Sequence, residues 1–145
     1  MTAYFSTGAS GAARTQLDAL KTMFNGGKLQ IWTDAQVSGG KDPDTAFAGT
    51  KLAEFSFSAT AFPAGDVTAG SFPSKTETAT ASFVASTVTA LATGTAATFG
   101  LLDSGGTVRA TGSVGTSGAD INFNSTAFSS GANITLSSFT LTMPE

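Results

Sequence analysis

The chain has no cysteine and no histidine, one tryptophan, one tyrosine, four prolines, and charged side chains at only 12% of its 145 positions. Without Cys there is no disulfide framework, no thiolate nucleophile and no thiolate metal site. Without His, the usual near-neutral acid/base and the commonest metal ligand are missing as well. Seven Lys and Arg scattered along a chain of net charge −3 make no basic stripe to displace counterions from a phosphate backbone, so nucleic acid is not an expected partner. No apolar run is long enough to span a bilayer, and the first residues lack the charged-then-apolar pattern of a signal peptide. No membrane is expected as a partner, and a protein made in a cytoplasm is expected.

What the chain does contain is small residues: 24 Ala, 24 Thr, 17 Ser and 17 Gly, more than half the sequence. Such a composition suits a linker, but 41% hydrophobic content, twelve Phe and low net charge point to a folded domain. At this length roughly 70% of the unfolded surface is buried on folding, enough for one core. The Phe residues run from Phe5 to Phe139 and mark that core, each contributing about 2 to 3 kcal/mol when buried.

One helix is expected, over 10–25. Ala13, Leu17, Leu20 and Phe24 recur at helical spacing on one face, and Asn25-Gly26-Gly27 provides a stop. From there the period becomes two. Leu29, Ile31 and Thr33 alternate with Lys28, Gln30 and Trp32 in a first strand. A loop follows over 34–50, with an Asp42-Pro43-Asp44 turn signal. A strand over 51–62 directs Ala53, Phe55, Phe57 and Ala59 to the core and leaves Leu52 on the other face. A second loop spans 63–74, and 76–93 reads as one long strand or two broken by a bulge.

A hairpin is expected from 95–102 and 107–114 around Asp103-Ser-Gly-Gly106, because Gly supplies the positive φ of a bulged turn. A turn at 115–120, a strand at 121–128, a turn at 129–131 and a last strand at 133–143 complete the chain. On that last strand Thr135, Ser137, Phe139, Leu141 and Met143 are expected to share a side. The reading is all-β: an antiparallel β-sandwich or jelly roll of about seven to eight strands with one short N-terminal helix. Residues 1–11 form an N-terminal arm, and 12–145 a single β-sandwich domain.

Chemistry-bearing constellations are few. Ser74-Lys75 is the only adjacent nucleophile and base, but adjacency in a loop does not aim an amine at its neighbour's hydroxyl. Asp42 with Asp44, and Asp103 with Asp120, are the candidate carboxylate pairs; each fits a turn better than a glycosidase cleft or a Ca²⁺ loop. Gly115 to Asp120 lacks the Lys and the following helix of a phosphate loop. Asn124 and Asn133 head glycosylation-type triplets, expected by chance in a Ser/Thr-rich chain. No enzyme, cofactor or metal is therefore expected. Trp32 is the candidate partner-binding aromatic, exposed for a sugar or protein contact or packed under the N-terminal helix. The off-face Leu52 and Val84 suggest a second face covered by a neighbouring sheet or subunit.

The segments GGKLQIW at 26–32, GTKLAEFSF at 49–57, GTAATF at 94–99, GSVGTSGADINFN at 112–124 and FTLTMP at 139–144 together resemble small Ala/Thr/Gly-rich virion structural proteins of tailed bacteriophages. The resemblance covers nearly the whole chain in layout. It departs from that group at Gly100, where a polar or Arg residue is usual, and at Trp32, where Tyr is usual. It implies a capsid cement or decoration protein: a compact β domain that binds the major capsid protein, ties neighbouring shell subunits together and is assembled in the bacterial host cytoplasm. A homo-oligomer, dimer or trimer, fits that role. Tyr4 and Phe5, in the Ser/Gly context of residues 1–11, are the candidate partner-binding residues of an arm that orders on a neighbour. A tail or collar protein and a sugar-binding host-surface module are the competing readings.

Overall fold

Leu29 and Ile31 set the centre of the fold, each fully buried on β1 (Lys28–Trp32). The computed structural model describes residues 19–35, 41–63 and 76–144. Residues 19–23 are helical, and Phe24 drops from the helix end into the core against Phe57 and Phe62, at ring-centroid distances of 6.1 and 6.3 Å. The expected stop holds, with Gly26 at φ 66°. The rest of the expected helix and the 1–11 arm, with Tyr4 and Phe5, lie outside the described residues.

The protein is all-β. A five-stranded sheet in the order β2-β1-β6-β7-β8 is built from β1, β2 (Lys51–Ser56), β6 (Thr98–Leu102), β7 (Val108–Gly115) and β8 (Ile121–Asn122). Three two-stranded ribbons complete it: β3 (Thr76–Thr80) with β11 (Thr140–Pro144), β4 (Thr87–Thr89) with β10 (Asn133–Thr135), and β5 (Gly94–Thr95) with β9 (Ala127–Phe128). Register puts Leu29 beside Phe55 and Leu101, and Ile31 beside Ala53 and Phe99, so one apolar row crosses three strands. That row joins Ala79 and Ile134 from the ribbons, and Leu136 and Phe139 from the segment between β10 and β11, in one cluster. Phe57 pairs with Phe83 in an isolated bridge, their rings stacked at 5.0 Å, which carries the β2 edge over onto the ribbons and curls the sheet.

The expected hairpin is present: β6 and β7 pair antiparallel from Thr98↔Ser113 to Leu102↔Val108. Gly106 takes φ 84°, and its N–H donates to the Asp103 carbonyl at 3.0 Å.

Eleven strands replace the expected seven or eight, because four alternating runs change partner midway. The expected 95–102 arm is one of them: Gly94 and Thr95 pair with β9, and only Thr98–Leu102 enters the hairpin. In 76–93, β3 joins β11 while β4 joins β10; between them Ser82 N–H turns aside to the Ala61 carbonyl. In 121–128, β8 pairs with β7 and β9 with β5, the break marked by Ala127 N–H donating to Ser125 Oγ. The β7–β8 pair is parallel, an exception to the expected antiparallel pattern. In 133–143 the exposed Ser137 and Ser138 shift the alternation by one: Ile134 and Leu136 are buried, then Phe139. Thr135 and Ser137 are thus exposed and do not share the side of Phe139.

Two further corrections concern the second strand. It ends at Ser56, and the chain turns so that Ala61 and Phe62 are buried while Ala59 is exposed. A register shift between Ile31 and Trp32 forms a bulge at Leu52, which joins the core cluster rather than a second, separately covered face.

Candidate functional site

Strand alternation places Lys28, Gln30 and Trp32 on the face of β1 opposite Leu29 and Ile31. The loop after β1 folds back over this face. Asp34 accepts the Ala48 and Gly49 N–H groups at 2.8 and 2.9 Å, one on each carboxylate oxygen, and Thr33 Oγ1 accepts Thr50 N–H at 2.9 Å. From the sheet side, Thr98 Oγ1 donates to the Asp34 carbonyl and Thr111 Oγ1 to the Lys41 carbonyl. The described parts of the loop are therefore tied down at Asp34, at Lys41 and at 48–50.

These ties set Phe47 flat against Trp32, ring centroids 4.7 Å apart and planes 5° apart. Lys41 Nζ lies over the Phe47 ring, 4.9 Å from its centroid. Phe47 also covers Gly100: a Cβ there would come within 2.8 Å of Phe47 Cε2. The space left by the missing side chain at Gly100 is the space that the aromatic ring occupies. Trp32 is half-buried and stacked on the loop, and its Nε1 is buried without a hydrogen-bond partner among the described residues. Its packing partner is Phe47; residues 10–18 of the helix expected to cover it lie outside the described residues.

Next to Trp32 on the same face, Glu54 gathers three donors. Lys28 Nζ and Gln30 Nε2 both reach it at 2.7 Å, and Lys51 Nζ at 2.8 Å. Burial pushes the Glu54 carboxyl up, but the hydrogen bonds from Lys28, Lys51 and Gln30 outweigh it and hold its pKa at about 2. Glu54 is thus a fixed anion that crosslinks β1 to β2, with no proton to exchange near neutrality.

The candidate carboxylate pairs are turn fasteners. Asp42 accepts Asp44 N–H at 2.9 Å and the Thr45 hydroxyl at 3.0 Å, and these bonds lower its pKa. Asp103 accepts the Thr107 and Gly105 N–H groups and Arg109 Nε, and its pKa is lowered chiefly by the Thr107 bond. Asp120 binds Ser113 N–H and Oγ, both at 2.8 Å. Asp103 bonds to Thr107 and Asp120 to Ser113, six positions apart on one hairpin arm, which is roughly 20 Å of strand. Glycoside hydrolysis needs about 5 to 9.5 Å. Gly115 to Asp120 connects β7 to β8, as expected, and Ser74-Lys75 lies outside the described residues. Among the described residues no group of three potential metal ligands exists.

No family model matches the chain. Neither a curated protein nor a solved structure matches it.

Two surface features are only partly legible in the sequence. Val84 and Leu91 are 74% and 55% exposed, large apolar side chains at the two ends of one segment. Val84 N–H donates to the Ser56 carbonyl and Leu91 N–H to the Leu52 carbonyl, so that segment runs along the outer edge of β2. Val84 was visible as an off-face residue, but Leu91 follows β4 in an irregular stretch where periodicity says nothing. The Glu54 crosslink was hidden too, since it needs the β1–β2 register to bring positions 28, 30, 51 and 54 together.

Proposed function

We propose that the protein is a structural component of a tailed-bacteriophage particle, a cement or decoration protein that binds the major capsid protein and stabilises the head shell. The sequence resemblance suggests the setting, and one observation supports a docking role: the exposed Val84 and Leu91 flank the outer edge of β2. Their hydrogen-bonded backbones are about 13 Å apart along that strand, a span suited to a small protein contact. Weak contacts of this size become effective when many copies act on one shell. A tied loop, a crosslinked sheet and carboxylates fastened in turns suit a passive, rigid body. Copies of the chain associating as dimers or trimers on the shell would share the same apolar edge.

The test uses shells that lack the protein, incubated with purified wild type, Val84→Asp/Leu91→Asp, or a variant truncated by residues 1–9. Wild type is expected to sediment with the shells, and both variants to stay folded and unattached. Full attachment of both variants contradicts the proposed contacts.

A further inference from the structure

Between the β8–β9 turn and β10 lies an open groove of about 360 Å³. Its apolar part is formed by Phe123, Phe128 and Ile134. Phe128 and Ile134 are buried, whereas Phe123 is half-exposed and meets Phe128 edge to face, ring centroids 5.3 Å apart at 87°. Phe123 is thereby held in a fixed orientation beside the opening. At the rim stand Asn124 and Asn133, both exposed, with side-chain amides that make no hydrogen bond to described residues.

The chemistry of this lining selects among ligands. None of the lining residues is charged, so nothing there balances a phosphate, a carboxylate or an ammonium group. An amide both donates and accepts, as each hydroxyl of a vicinal diol does, whereas a carboxylate only accepts and a lysine only donates. The apolar C–H face of a pyranose ring suits an aromatic side chain held in place, and the volume suits roughly one or two such rings.

We propose that this groove is a binding site for a neutral hexopyranose sugar, its C–H face on Phe123 and its hydroxyls bridged by Asn124 and Asn133. The site is independent of the shell contact at Val84 and Leu91, and it lies apart from Trp32, one of whose two sequence readings was a sugar or protein contact and on which Phe47 stacks.

The test is an NMR titration of the full ¹⁵N-labelled chain with glucose, galactose and N-acetylglucosamine, each to roughly 50 mM, with glycerol as the control polyol. At least one sugar is expected to shift amides within 121–135 with a dissociation constant of about 5 mM, and glycerol to leave them in place. Asn124→Ala/Asn133→Ala alters two exposed side chains and should weaken that binding about tenfold or more while the remaining spectrum is unchanged. Phe123→Leu should weaken it as well. Absence of shifts with all three sugars, equal shifts with glycerol, or binding untouched by the double asparagine change each overturns the proposal.

Discussion

Phe47 lies parallel to Trp32, 4.7 Å between ring centroids, and this contact joins the loop after β1 to the outer face of the sheet. Trp32 is the sole tryptophan, so its fluorescence reports this contact directly. Phe47→Ala should shift emission to longer wavelength as water reaches the indole, and lower stability by about 2 kcal/mol, less than for a fully buried Phe because Phe47 is half-exposed. Denaturant unfolding followed by fluorescence measures both; an unshifted spectrum would show that Phe47 does not shield Trp32.

Gly100→Ala tests the same contact from below. Its new Cβ would meet Phe47 Cε2 at 2.8 Å, so the ring must move and about 1 to 2 kcal/mol is lost. In the Phe47→Ala background there is no ring to displace. The double variant should therefore be more stable than the sum of the single losses predicts, by about 1 kcal/mol. Strict additivity in a double-mutant cycle would rule out the clash.

The fold class, the β6–β7 hairpin, the Gly26 helix stop and the inward Leu29, Ile31 and Phe55 were legible because each rests on short-range signals: period two, or a glycine at a turn. The strand breaks at 96–97, 123–126 and 136–139 were not, and 76–93 stayed open between one strand and two. No Gly or Pro marks them, and the chain breaks there because its hydrogen-bond partner changes, which only the assembled sheets define. Leu52 was misplaced for a related reason, since the bulge that turns it inward belongs to a pairing and not to a sequence pattern. Of the candidate site, Trp32 was singled out, but Phe47 sits 15 positions away in a loop without periodicity, and Leu91 carries no local signal at all.

Glu54 predicts an acid-sensitive stability. Its pKa is lowered from 4.5 to about 2, so the folded protein binds that proton less tightly than the unfolded chain. The stabilisation is complete above pH 4.5 and is lost as pH falls from there toward about 2. After allowance for solvent screening it amounts to on the order of 1 to 2 kcal/mol. Glu54→Gln should lower stability at pH 7 by that amount and narrow its difference from wild type progressively below pH 4.5. Urea midpoints from pH 2 to 7 would test this; a difference that does not vary with pH would contradict it.

Val84→Asp and Leu91→Asp replace exposed side chains, so each should change stability by no more than about 0.5 kcal/mol. Thermal unfolding of the purified variants checks this. A large loss would mean that these residues support the fold and are not a free contact surface.

The proposed location of the protein is the head shell. Immunogold electron microscopy of intact particles, with an antibody raised against this chain, tests it most directly. A cement protein should give many gold particles distributed over the head and none on the tail; label restricted to the tail or collar, or no label on particles at all, would overturn that location.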